Sequence, residues 1–164
     1  MQFAVVSLFS NLLPVVAGII KYRQLSLKLK LLFAFYLFSA LLDFYSFYLG
    51  IETGNNMILF NLYGLIEVVV YILIFIPLIL RKKRIAASIL LSIIWILIFL
   101  ATTYYTGDIK DYNPFFNIFE NSFLLILFGR LIFKSIDQTD IPLYKNSFFW
   151  IGSGIIIYST ISFS

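Results

Sequence analysis

The chain has 164 residues, 62% of them hydrophobic and 12% charged, with a net charge of +4 and a mean hydropathy of +0.99. Soluble domains carry about 25% charged residues, so there is too little charge here to coat a water-soluble fold, and lipid is the solvent that the composition implies. With no Cys and no His, disulfides, thiolate or imidazole metal centres and Cys- or His-based nucleophile pairs are all excluded.

The first apolar run, 2–20, has no basic residue before it, unlike a secretory signal peptide. It is broken by Asn11, Pro14 and Gly18, which membrane helices tolerate where neighbours satisfy the freed backbone. Lys21, Arg23, Lys28 and Lys30 follow, and a second span runs over 31–49 with Asp43 inside it. A short loop, 50–56, leads to a third span over 57–80, which Arg81-Lys82-Lys83-Arg84 stops. The fourth span covers 85–104 and carries Ser88, Ser92 and Trp95 on one face. After a turn-rich loop comes a fifth span over 115–133, then a short sixth run over 147–163. Each of the first five approaches the ~20 residues needed to cross hydrocarbon. The sixth is shorter, and its Gly152, Gly154 and serines suit close packing. It implies either a packing partner, a second copy or another membrane chain, or a chain that continues beyond this one.

The fold expected is therefore all-α: a single transmembrane domain over 1–164, a helical bundle of five to six spans. Eleven of the twelve basic residues fall on one side of that topology, and only Lys110 lies on the other. The positive-inside rule puts the N-terminus outside and the basic loops in the cytoplasm, in the inner (cytoplasmic) membrane. The 81–84 run is then a stop-transfer and headgroup-binding feature rather than a nucleic-acid patch. Tyr104, Tyr105 and Tyr112 on the outer side, with Tyr22, Tyr144 and Trp150 on the inner side, read as interfacial aromatics.

Three of the eight acidic residues lie within spans: Asp43, Glu67 and Glu120. A carboxylate at the centre of a membrane helix costs on the order of 2.5–3.5 kcal/mol even on the lenient insertion scale. Each sits on a polar face. Tyr36, Ser39, Asp43 and Ser46 share one stripe, and Asn61, Gly64, Glu67 and Tyr71 span an arc of about 120 degrees. Asn117, Glu120 and Asn121 make a third face. All three acids are expected in the outer half or near the midplane, where they would converge. No Lys or Arg occurs at that depth, and an unpaired carboxylate in low dielectric favours its protonated form.

That constellation points to binding or transport of a proton, a small cation or a small polar ligand at Asp43, Asn61, Tyr63, Glu67, Tyr71, Asn117, Glu120 and Asn121. A receptor-like module acting through a separate partner is the second reading. An intramembrane enzyme with paired carboxylates is the third. The latter lacks support: there is no Gly-x-Gly-Asp motif, and Gly152-Ser153-Gly154 has no histidine to activate it. No catalytic residue, cofactor or bound metal is expected, and the lipid bilayer is the one certain partner class.

Two further patterns bear on kinship. Phe60-Asn61-Leu62-Tyr63 and Phe116-Asn117-Ile118-Phe119 open equivalent spans, as a duplicated hairpin would. Asn61-x-Tyr63-x3-Glu67, the fifth helix with Asn121, and Phe149-Trp150-Ile151-x-x-Gly154-Ile155-x-Ile157-Tyr158 together resemble a group of uncharacterised bacterial multi-pass membrane proteins. Members of that group have about seven spans, so the resemblance implies a further span beyond the Phe-Trp helix.

Overall fold

The structure is a computed structural model that describes residues 15–80, 84–137 and 146–162. Most of the first expected span, the basic residues 81–83, and Tyr144 and Lys145 lie outside the described residues. Among those described, helices and the turns between them make up the whole fold, with no strand. The helices are α1 (described over 15–21), α2 (Leu27–Thr53), α3 (Met57–Ile79), α4 (Arg84–Thr106), α5 (Pro114–Ile136) and α6 (Ser147–Ser162). A 3-10 turn, Tyr22–Gln24, joins α1 to α2.

Among the described residues, three helices are long and apolar enough to cross a membrane: Met57–Ile79, Ile85–Thr106 and Pro114–Ile136. Their 23, 22 and 23 residues correspond to about 33–35 Å at 1.5 Å per residue, slightly more than the hydrocarbon thickness. The distribution of side chains supports lipid as the solvent. On α4, Ile89, Ile93, Leu97 and Leu100 are exposed, while Ser88, Ser92 and Thr102 are buried. Aliphatic groups outside and hydroxyls inside would be costly in water and cost nothing in hydrocarbon. Tyr104 and Tyr105 are 87% and 83% exposed at the C-terminal end of α4, as interfacial aromatics require.

Local chemistry fixes the ends. Gly54 terminates α2 with φ 72°, its N–H donating to the Gly50 carbonyl, and Gly107 terminates α4 with φ 94°. Both need the left-handed region that glycine enters freely. The α2 helix is longer than the span read from hydropathy. Helical hydrogen bonding continues past the apolar stretch at both ends, and Tyr48 donates to Glu52 one turn on. The expected loop 50–56 therefore shrinks to three residues, Gly54, Asn55 and Asn56.

Asn113 starts α5. Its Oδ1 accepts the Phe116 N–H at 3.0 Å, its Nδ2 donates to Thr102 Oγ1 at 3.0 Å, and Pro114 occupies the first helical position. One buried side chain thus caps α5 and ties it to the end of α4. Asn113→Ala is expected to cost about 1–2 kcal/mol, read as a lowered melting temperature in detergent. An unshifted melt would show that the cap contributes nothing.

The chain divides into two compact units, Met1–Tyr63 with Asp108–Tyr112, and Gly64–Gly107 with Asn113–Ser164. In the first, α1 meets α2 where Gly18 and Tyr22 lie against the Phe33 ring. In the second, Trp95 and Phe99 of α4 stack edge-on against Phe116 of α5, at centroid distances of 6.0 and 5.0 Å. The helix α6 packs closely on α5. A Cβ on Gly152 would lie 3.1 Å from Ile132 Cγ1 and 3.6 Å from the Phe128 carbonyl, whereas one on Gly154 would meet nothing. Of the two glycines, Gly152 is the one that lets the helices approach.

Candidate functional site

In the first unit, the polar stripe of α2 faces inward as its spacing predicts. Ser39 and Ser46 are buried and Asp43 is half-buried between them. Ser39 Oγ donates to Tyr63 Oη at 2.8 Å, and the Tyr63 ring stacks on Phe35 at 6.1 Å. Asn61 has a structural task that spacing does not reveal. Its Nδ2 donates to the carbonyls of Ile109 and Asp111, both at 2.8 Å, while Asn55 Nδ2 holds the Lys110 carbonyl between them at 3.2 Å. Three successive carbonyls of the loop are thereby fastened to the start of α3. The amide N–H groups of Asn61 are spent on that loop.

In the second unit, α3 and α5 run in the same direction and touch at three levels. At the first, Glu120 lies over Gly64: a Cβ there would fall 2.7 Å from Glu120 Oε2 and 3.1 Å from Oε1. In the middle, Phe128 meets Tyr71 and Phe75 edge-on at 5.3 and 4.9 Å. At the far end, Lys134 Nζ donates to the carbonyls of Leu78 and Ile79, the latter at 3.3 Å. An ammonium on the final carbonyls of a helix both satisfies orphan acceptors and complements the dipole. The repeated motifs begin at 60 and 116, an offset of 116 − 60 = 56. Gly64 with Glu120 (120 − 64) and Leu78 with Lys134 (134 − 78) meet at that same offset.

Glu67 stands one turn along α3 from Gly64, within electrostatic reach of Glu120. The two side chains are only 6% and 9% exposed. Two carboxyl side chains thus lie close together in the interior of this unit, away from solvent. Asn121, 3% exposed, extends the polar group along α5 and donates through Nδ2 to the Asn117 carbonyl and to Asn117 Oδ1 at 3.0 and 2.9 Å. Tyr71 is fully buried below Glu67, in the aromatic layer. Within this unit the structure therefore gathers Glu67, Glu120, Asn121, Asn117 and Tyr71, while Asp43, Asn61 and Tyr63 belong to the other unit.

Gly64 was legible as part of a stripe but not as a seat for Glu120, because that role depends on the neighbouring helix. The only sequence signal was its position, one turn before an acid on an otherwise large-residue face. A groove of about 410 Å³ lies along α4 and α5, lined by Ile98, Ala101, Thr102, Tyr105, Phe115 and Phe119. It is apolar and includes neither carboxyl. Compared with known proteins, the chain matches no protein-family model, no curated protein and no solved structure.

Proposed function

We propose that this protein spans the inner (cytoplasmic) membrane five to six times, with its N-terminus outside, and takes up a proton or small cation at the Glu67–Glu120 pair. The observation that carries this reading is the Glu120 carboxyl seated on Gly64 beside buried Glu67. Two acids placed together away from water destabilise a fold unless a positive species neutralises them. Asn121 and Asn117 add neutral oxygen acceptors at the same level, as hard cations and protons prefer.

Liposomes reconstituted with the protein and loaded with a pH-sensitive dye test this. Under an imposed proton or sodium gradient, Glu67→Gln is expected to slow the response at least about tenfold, the effect of losing roughly 1.4 kcal/mol of binding, while inserting at the wild-type level. A Glu67→Gln protein that responds like the wild type would sink the proposal.

A further inference from the structure

The first unit separates its charges along α2. The chain has no Asp or Glu before Asp43, yet Lys21, Arg23, Lys28 and Lys30 fall within ten residues. They bracket the 3-10 turn Tyr22–Gln24 that joins α1 to α2. The acids of this unit lie elsewhere. Asp43 stands thirteen residues beyond Lys30, about 20 Å along the helix, and Glu52 is further still. Asp108 and Asp111 belong to the loop that Asn55 and Asn61 fasten to the start of α3. Four bases are thus gathered at one end of the unit, away from its carboxyl groups.

Local packing holds these bases together. Lys30 Nζ lies over the Tyr22 ring, 5.1 Å from its centroid, and Tyr22 meets Phe33 edge-on at 5.7 Å. A charge from the start of α2 is thereby drawn back over the turn between Lys21 and Arg23. The start of a helix favours acids over bases, but α2 has no acid in its first turn and no side-chain cap from Ser26. The same end is apolar as well as basic. Ile19, Ile20, Leu27 and Leu31 are 62%, 73%, 76% and 54% exposed. Leu27 and Leu31 share one stripe of α2, and at 100 degrees per residue Lys28 and Lys30 stand about 80 degrees to either side of it. Nucleic acid would engage the bases and leave four large aliphatic side chains in water. A bilayer boundary engages both, with acyl chains around the aliphatic groups and headgroup phosphates on the cations.

We propose that the α1–α2 turn is a docking site for the headgroups of anionic phospholipid. Lys21, Arg23, Lys28 and Lys30 contact the phosphates, and Ile19, Ile20, Leu27 and Leu31 lie among the acyl chains beneath them. The inference rests on the membrane placement proposed above but involves neither Glu67 nor Glu120. It goes beyond the orientation that basic loops impose, because it makes this turn select lipid by charge. Four neighbouring cations are enough for such selection, and their attraction falls off within a Debye length.

The test is thermal unfolding of the purified full chain in a neutral detergent. The chain is titrated with dioctanoyl phosphatidylglycerol or dioctanoyl phosphatidylcholine, which share acyl chains and differ in headgroup charge. Wild type is expected to reach half-maximal stabilisation with at least about tenfold less phosphatidylglycerol, and about 1 M salt removes the difference. Lys21→Gln with Arg23→Gln, and separately Lys28→Gln with Lys30→Gln, each raises the phosphatidylglycerol requirement about tenfold. The phosphatidylcholine curve stays in place and reports that each variant folds. Lys28→Arg with Lys30→Arg keeps the preference, since charge is what the headgroup reads. Lys110→Gln, in the loop fastened to α3, leaves both curves unchanged. Equal responses of wild type to the two lipids would overturn the inference. So would a preference that survives in both glutamine variants, which would show that other basic residues carry it. The same shift from inorganic phosphate or a single-stranded RNA would overturn it in favour of a soluble anion. A chain that stays in solution without detergent would sink the membrane placement and this site together, whereas a lost liposome response with the lipid preference intact would sink the carboxyl reading alone.

Discussion

Gly64→Ala is expected to abolish the ion or proton response while leaving the protein folded. The added methyl would fall 2.7 Å from Glu120 Oε2, 3.1 Å from Oε1 and 3.2 Å from Cδ, distances that no methyl and carboxyl can share. Every atom it meets belongs to the far end of one flexible side chain, so the carboxyl moves and the backbones stay. Alanine also favours the helix over glycine by roughly 0.5–1 kcal/mol, which offsets part of the strain. Net stability should change by less than about 1 kcal/mol. The carboxyl, however, is driven off α3 and away from Glu67, and a site whose parts must be held within about 0.5 Å does not survive such a shift. Gly129→Ala on α5 is the control, since a Cβ there meets nothing within 4 Å. The measurement is the melting temperature together with the liposome response of each variant. A Gly64→Ala protein with full response would show that Glu120 acts, if at all, from somewhere other than its seat on α3.

The helices were legible because hydrophobic runs of membrane length admit few other structures, and the buried polar stripes were legible because a helix repeats at three and four residues. On α4, Ser88, Ser92 and Trp95 share a buried face as the spacing predicts. What spacing cannot supply is which stripe meets which. Asn61 and Glu67 lie on the same arc of α3, yet the amide of Asn61 is spent on the loop at Ile109 and Asp111, while Glu67 neighbours a second acid. Lys134 reads as one more basic residue at the end of a span until the Leu78 and Ile79 carbonyls are seen beneath it. Ser159 is one of several serines in a short run, and only packing shows that its hydroxyl is buried without a hydrogen-bond partner. The 56-residue offset of the Phe-Asn motif is also the separation of Gly64 from Glu120 and of Leu78 from Lys134, a register that no spacing within one helix could supply.

Phe128→Ala is expected to be the most destabilising substitution in the second unit, by on the order of 3 kcal/mol, the low end of the range for such truncations. The reason for choosing the low end is the solvent. In water, burying a phenylalanine gains transfer free energy, but in a bilayer the alternative environment is already apolar, so that contribution largely vanishes. What remains is the cavity and the lost ring contacts. Phe128 has no exposed surface and meets Tyr71 and Phe75 edge-on, at 88° and 70°. Each such pair is worth about 0.5–1.5 kcal/mol. Phe75 in turn meets Phe148 at 87°, so removing Phe128 loosens the layer through which α3, α5 and α6 hold a common register. Phe133→Ala, on the same helix but 71% exposed, exchanges one apolar surface toward lipid for another and should leave the melt within about 0.5 kcal/mol of wild type. The comparison is unfolding of both variants in the same detergent, followed by tryptophan fluorescence. Because the aromatic layer is the floor of the polar one, Phe128→Ala should also weaken the ion response without touching any of its ligands. Equal melts for the two variants would mean that the helices are not held together at that layer.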